Sequence, residues 1–471
     1  MNGAVPESGF YLLADNSDAF IARLALILNA RRSIDIQYYI IHSDASGQVL
    51  NYAMLQAADR GVRVRILVDD IALSGRDRQL KIMNAHPNID IRIFNPLSSR
   101  DYWRNLELII NLGRAGRRMH NKAFIADDRY AIIGGRNIGD EYFDARHSMN
   151  FIDLDLLARG PIVGDIGASF IEYWHSDWAR SIDRISRFRV AASHLKQIRR
   201  ALVDRWRKTI NSDYFTHLST GALMQQLLRD EIPFVGAVAR LFYDKPEKLT
   251  TMRPHETIHM GPQVLPIIDR ARNEIAVATP YFVPGQDGLA LFAGLRARGI
   301  SVSVLTNSLA ATDVAAVHAG YLKYRPALLA MGVRLYELEP SARLSTRMPR
   351  WLRKKPARAS LHAKYLVVDR ESLFIGSSNL DPRSQNLNTE IGMMIDNREL
   401  AQQALALFQH STTPQNSYRV ELRDPADTAS GLVWVTRENG EEVRYSHEPR
   451  ASLWRRLMVR LIGLLPIESL L

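Results

Sequence analysis

Residues 117–137 read RRMHNKAFIADDRYAIIGGRN, an apolar run headed by a histidine and a lysine two positions apart, His120 and Lys122. The run has the alternation and β-branched content of a strand, in which residues two apart point the same way, so an imidazole and an ammonium share one face. Asp127 follows, then Gly134 and Asn137. Residues 359–379, ASLHAKYLVVDRESLFIGSSN, repeat the arrangement with His362, Lys364, Asp369, Gly376 and Asn379, at a constant offset of 242.

The repetition extends outward from both stretches. ARRSIDIQYYI (30–40) pairs with ARNEIAVATPYF (271–282), AADRGVRVRILVDD (57–70) with RARGISVSVLTNS (296–308), and NIDIRIFNP (88–96) with GVRLYELEP (332–340). Alternating strands separated by runs of 3.6 periodicity, such as 48–59, read as β-α-β units, so the fold class is α/β, built twice. The expected organisation is a first half over 1–180, a helix-rich basic insertion with little strand character over 181–260, a second half over 261–412 and an extension over 413–471. A duplicated chain packs its halves about a pseudo-two-fold axis, which brings both histidines and both lysines to one cleft. A basic, proline-containing segment, 343–359, reads as a loop beside that cleft.

The bulk composition narrows the class. Hydrophobic residues make up 46% and charged residues 24% of the 471, as in an ordinary globular protein, which argues against disorder and against a polytopic membrane protein. The net charge of +11 and pI near 9.8 favour an acidic partner, either a nucleic acid or an anionic lipid surface. The absence of cysteine excludes thiolate metal sites and a cysteine nucleophile. No apolar run reaches the ~20 residues a membrane span needs, and the opening residues lack the basic and apolar regions of a signal peptide. Near the end, Leu453, Trp454, Leu457, Met458, Leu461 and Leu465 fall on one helical face opposite Arg455, Arg456 and Arg460. Such a helix either docks on the protein or lies on a membrane surface.

Two imidazoles and two ammonium groups in one cleft suit a phosphodiester. The lysines neutralise charge on the non-bridging oxygens, while one imidazole attacks phosphorus and the other protonates the leaving alcohol. The roles then reverse with water or a new alcohol, and no metal or other cofactor is expected.

The paired stretches resemble the H-x-K-x4-D motifs of the phospholipase D superfamily. DIQYYI, GGRNIGDEYFDA, DLDLLARGP, ARLFYD and the terminal LLPIES look like the C-type branch of bacterial cardiolipin synthases. That resemblance implies two phospholipase D-like α/β/α halves and transfer of a phosphatidyl group to phosphatidylglycerol through a phosphohistidine. The donor would be phosphatidylglycerol or phosphatidylethanolamine, with water as the competing acceptor. It makes His120 the nucleophile, His362 the acid/base, and Asp153 and Glu390 the carboxylates that orient the histidines. Asp127 and Asp369, about 15 Å or more along an extended strand from their histidines, are motif members expected to hold a turn. Asn137 and Asn379 are expected to donate amide hydrogen bonds to phosphate oxygens.

The expected partners are phospholipid substrates and an anionic membrane surface, the expected location peripheral on a bacterial inner membrane, with nucleic acid not expected and an activating protein left open. A metal-independent nuclease and a catalytically dead membrane scaffold are the competing readings. His255-Glu256-x-x-His259 fits a helical zinc pair but lacks an evident third ligand and a continuous helix, and is read as accidental. Asp69 and Asp70, at a β-α turn, are candidates for lining the cleft.

Overall fold

A computed structural model describes residues 7–100, 112–146, 148–211, 222–251, 255–342 and 358–465. The basic segment 343–357 lies outside these residues, as do 212–221 of the expected insertion and the last residues of LLPIES.

The first half contributes strands β1 (Ser8–Leu13), β2 (Ser33–Tyr38), β3 (Arg63–Asp69), β4 (Ile89–Phe94), β5 (Ala123–Ala126), β6 (Tyr130–Gly134), β7 (Met149–Ile152), β8 (Asp155–Arg159) and β9 (Ala179–Ser181). The second contributes β10 (Val235–Tyr243), β11 (Glu274–Ala278), β12 (Ser301–Asn307), β13 (Arg334–Leu338), β14 (Arg358–Leu361), β15 (Tyr365–Val368), β16 (Ser372–Gly376), β17 (Ile391–Asp396), β18 (Ser417–Asp424), β19 (Asp427–Glu438) and β20 (Glu441–Tyr445). In hydrogen-bonding order the first sheet runs β1-β8-β6-β5-β2-β3-β4-β9, and the second repeats it as β10-β17-β16-β15-β11-β12-β13-β18. β2, β3 and β4 are parallel, as are β11, β12 and β13, each joined by helical crossovers. Such central strands are covered on both faces, and β2 is buried at every position.

The two sheets are fused. β1 pairs antiparallel with β10, Gly9 opposite Gly236, so one continuous sheet crosses the pseudo-two-fold axis. Helices Ile162–His175 and Arg398–Ser411 share a single apolar core with residues of both halves, including Phe10, Phe170, Trp174, Met393, Ala404 and Phe408. Among the described residues, two further large cores lie one in each half, around helices Asn16–Asn29 and Ala45–Asp59 and around Gly285–Ala297, with a small one around Val459.

The stretch 181–260 is not strand-poor throughout. Helices Ala192–Ile210 and Ala222–Arg229 occupy part of it, but β10 is the second half's counterpart of β1. Its sequence, VGAVARLFY, carries small or apolar residues on both faces, which conceals the period-two alternation. Likewise β18, past residue 412, takes the place beside β13 that β9 takes beside β4, and β19 and β20 extend the second sheet beyond it.

Asp127 and Asp369 terminate β5 and β15 in the left-handed region, with φ of 57° and 53°. The carboxylate of Asp127 accepts from the backbone N–H groups of Arg31, Arg32 and Ser33 at 2.9, 2.7 and 3.0 Å. Asp369 does the same for Arg272, Asn273 and Glu274 at 2.8, 2.7 and 2.9 Å. Each motif aspartate therefore stitches the end of its strand to the start of β2 or β11. Asp127→Ala should lower stability by about 2 kcal/mol, the scale of hydrogen bonds to a charged acceptor. Asp127→Asn, which tolerates a left-handed backbone and keeps one acceptor, should recover part of it. Denaturant midpoints of the two variants check this.

Candidate active site

The sequence places His120 and Lys122 at the head of a strand; the structure places them just before it. β5 starts at Ala123 and β15 at Tyr365, and the extended residues ahead of them leave their own sheets to pair with the opposite half. β14, which runs up to His362, pairs in parallel with β7, Leu361 opposite Ile152, and Met119 forms the equivalent bridge to Thr389. The His120 N–H donates to the Thr389 carbonyl at 2.8 Å and the His362 N–H to that of Ile152 at 2.7 Å.

This crossing decides which acid meets which histidine. Glu390, next after Thr389, lies with its carboxylate oxygens 3.0 and 2.9 Å from Nδ1 of His120. Asp153, next after Ile152, lies 2.6 Å from Nδ1 of His362. Each half's carboxylate thus engages the other half's imidazole, a pairing that the repeats alone leave open. With Nδ1 donating to the carboxylate, Nε2 of each ring is the nitrogen left to act on a substrate.

The surroundings are buried and charged. Burial drives His120 down to about 4, against the pull of Glu390, and drives His362 below the usual imidazole range, so both rings are neutral near pH 7. Burial opposes ionisation of Asp153 and Glu390 too, but the imidazole and lysine beside each outweigh it and hold both carboxyls below their ordinary values. Burial also lowers Lys122 to about 7 and Lys364 to about 8. Lys122 Nζ donates to the His120 carbonyl at 2.6 Å, Lys364 Nζ donates to the carbonyl of His362, and each lysine's charge is felt by the opposite histidine.

The supports around the four groups are matched but not identical. Asp69, at the end of β3, accepts from the Met119 N–H at 3.0 Å, and Asn307, at the end of β12, accepts from that of Leu361 at 2.7 Å. Both clamp the residue before a histidine. Asp69 and Asp70 therefore do not line an open cleft: Asp69 is fully buried beneath Met119, and Asp70 accepts from Leu97 N–H and pairs with Arg100. The repeat alignment sets Asp69 opposite Asn307, which was the available signal. Asp244, paired with Lys248 at 2.8 Å, accepts from the Glu390 N–H, while Arg136 donates to the Asp153 carbonyl at 2.6 Å. Ser377 donates to Glu390; the matching first-half position is Gly135, where a Cβ would stand 2.2 Å from Asp153 Oδ1.

Asn137 has partners within its own half. Its Nδ2 donates to the Tyr142 hydroxyl at 2.9 Å and its Oδ1 accepts from the Ile40 N–H at 3.2 Å, so the side chain braces Tyr142. Tyr142 and Phe151 lie 5.1 and 4.9 Å from the His362 ring, and Tyr39 lies 4.9 Å from His120. These aromatics carried no sequence signal beyond ordinary core residues. Asn379 is buried in the second half, with its N–H donating to Ser384 at 3.3 Å. His255 and His259 bracket a turn instead of standing on one helical face, and His259 Nδ1 accepts from the His255 N–H.

Comparison with known proteins follows the same lines. The family described as "Cardiolipin synthase, PLD-like domain" matches residues 24–174 and 264–412, one span in each half. Cardiolipin synthase C of Escherichia coli (strain K12) is 38% identical over 99% of this chain and 96% of its own length. Cardiolipin synthase A of Pseudomonas entomophila (strain L48) is 27% identical over 84% of this chain and 67% of its own. Among solved structures, phosphatidylserine synthase of Haemophilus influenzae Rd KW20 shares the fold, with a TM-score of 0.60 at 15% identity, covering 99% of this chain and 97% of that one. With both halves matched and a 38% identical relative aligned almost end to end, the chain belongs to the cardiolipin synthase family of phospholipase D-like proteins.

Proposed function

We propose that this chain makes cardiolipin, transferring a phosphatidyl group from one phospholipid to the glycerol headgroup of phosphatidylglycerol at an anionic bilayer surface. The observation that supports this reading best is the exchange of carboxylates between halves, which leaves two oriented, neutral imidazoles beside two buried ammonium groups. Nε2 of His120 attacks phosphorus, forming the P–N bond as the P–O bond to the departing alcohol breaks, and His362, which takes up a proton on Nε2 as the anionic phosphodiester enters beside Asp153, gives that proton to the departing alkoxide. Diacylglycerol-phosphate is then held on His120 while Glu390 balances the charge gained by the ring. The acceptor hydroxyl gives its proton to His362 as its oxygen displaces the imidazole. Lys122 and Lys364 stay with the non-bridging oxygens throughout. Asn379 is assigned an amide hydrogen bond to the phosphate oxygens, and Tyr142, braced by Asn137, flanks the His362 ring.

Wild type incubated with phosphatidylglycerol vesicles, with and without phosphatidylethanolamine, should yield cardiolipin by lipid mass spectrometry, and His120→Ala should lower the yield by roughly 10³-fold or more. Phosphatidic acid as the sole product would replace transfer by hydrolysis. A nitrophenyl phosphodiester, whose leaving group needs no acid, separates the histidines: in His362→Ala the phosphoryl label should accumulate on His120. Label on His362 in His120→Ala would reverse the assignment.

The depressed lysines set the pH dependence. A lysine is charged below its pKa, so the cations at the phosphate are lost as pH rises through about 7 to 8 in the free protein. His120, driven down to about 4, stays neutral and nucleophilic well below pH 6.5, where His362 takes up its proton more readily. Accordingly kcat/KM should hold on the acid side and decline above about pH 8; a flat profile to pH 10 would show that the lysine charges do not matter.

A further inference from the structure

Helix Leu453–Gly463 is only narrowly attached to the protein. Val459 is buried against Leu309, Ala319 and Ala451, with Ile462 alongside, and Arg455 donates to the Thr312 carbonyl at 2.6 Å. At 3.6 residues per turn these positions occupy one edge of the helix. The remaining apolar arc faces outward: Leu453 is 79% exposed, Trp454 69% and Leu464 81%, and Leu457, Met458, Leu461 and Leu465 are exposed beside them. Isolated exposed leucines are ordinary, but a contiguous patch of this kind on a water-facing surface marks a contact. The helix ends at Gly463, so Leu464 and Leu465 extend the patch past the last turn.

Two observations choose the occupant. Arg456 and Arg460 flank the arc, and no acidic residue interrupts the helix, the arrangement that suits anionic headgroups above an apolar layer. The patch also stands beside the site: Arg455 holds Thr312, whose neighbour Asp313 accepts from the Tyr281 hydroxyl at 2.8 Å and acts electrostatically on Lys364 and Tyr142. Thr312 and Asp313 follow β12, whose last residue, Asn307, clamps Leu361 ahead of His362.

We infer that helix Leu453–Gly463, with Leu464 and Leu465, is a membrane-docking element that inserts its apolar arc into an anionic leaflet and sets the cleft at headgroup depth. The inference rests on the lipid-transfer reading for the purpose of the docking, but the docking itself is measured without turnover.

The test uses the full chain with vesicles of phosphatidylglycerol or of phosphatidylcholine. Wild type should co-sediment with the anionic vesicles. Trp454→Ser/Leu457→Ser/Leu461→Ser should bind at least tenfold more weakly while keeping turnover of a short-chain phosphatidylglycerol below its micelle concentration. Arg456→Glu/Arg460→Glu should lose the preference for anionic vesicles. Should the triple variant unfold, brominated lipids decide the matter: they should quench wild-type fluorescence more than that of Trp454→Phe. Unchanged vesicle binding in the triple variant, or equal quenching in wild type and Trp454→Phe, overturns the inference. So does a lipid-free dimer that the triple substitution dissolves without altering vesicle binding. Normal vesicle binding with no lipid product on either substrate would instead refute lipid transfer and leave the docking surface standing.

Discussion

The hydrogen bonds from His120 to Glu390 and from His362 to Asp153 are the constraint on which the rest of this structure depends. Each joins a histidine of one half to a carboxylate of the other, so neither half holds a complete histidine–carboxylate pair. A buried imidazole with an unengaged Nδ1 would lose its tautomer, and a buried carboxylate with no donor would be costly in a low-dielectric interior. The backbone bridges Met119–Thr389 and Leu361–Ile152 put these pairs in register, and the clamps Asp69, Asn307 and Asp244 fix the bridges. The site is thus an interface, built to the standard of a core.

Much of this was legible because the chain says it twice. A histidine, lysine, aspartate, glycine and asparagine recurring at one offset marked the motif as more than coincidence, and the same alignment pointed to Asp153 and Glu390, which face the histidines. What the repeats could not convey was pairing across the axis, since identical spacing is compatible with each acid serving its own half. β10 was missed because a strand with apolar residues on both faces lacks the alternation that betrays a half-buried one. The sequence could not show that Asn137 also braces Tyr142, since an amide beside a phosphate site and an amide holding a tyrosine look alike until the tyrosine is placed.

The duplication is also imperfect in ways that matter chemically. Ser377 supports Glu390 where Gly135 makes room for Asp153, and a lysine-aspartate pair stands behind one acid where Arg136 stands behind the other. His362 is flanked by Tyr142 and Phe151, whereas His120 meets the edge of Tyr39. In the proposed transfer one histidine attacks while the other gives and takes the proton, and the two have correspondingly different surroundings.

The antiparallel seam between β1 and β10 carries a consequence for how substrates pass through. Because the sheet is unbroken across the axis, the halves cannot swing apart as the jaws of a hinge without tearing backbone hydrogen bonds and the shared core between helices Ile162–His175 and Arg398–Ser411. In the proposed lipid transfer, traffic of two-tailed molecules then falls to the loops at the strand ends, with the frame behaving as one stiff body. Stiffness of that kind would keep the two imidazoles in fixed opposition through both proposed steps, leaving the lipid, and not the protein scaffold, to do the moving.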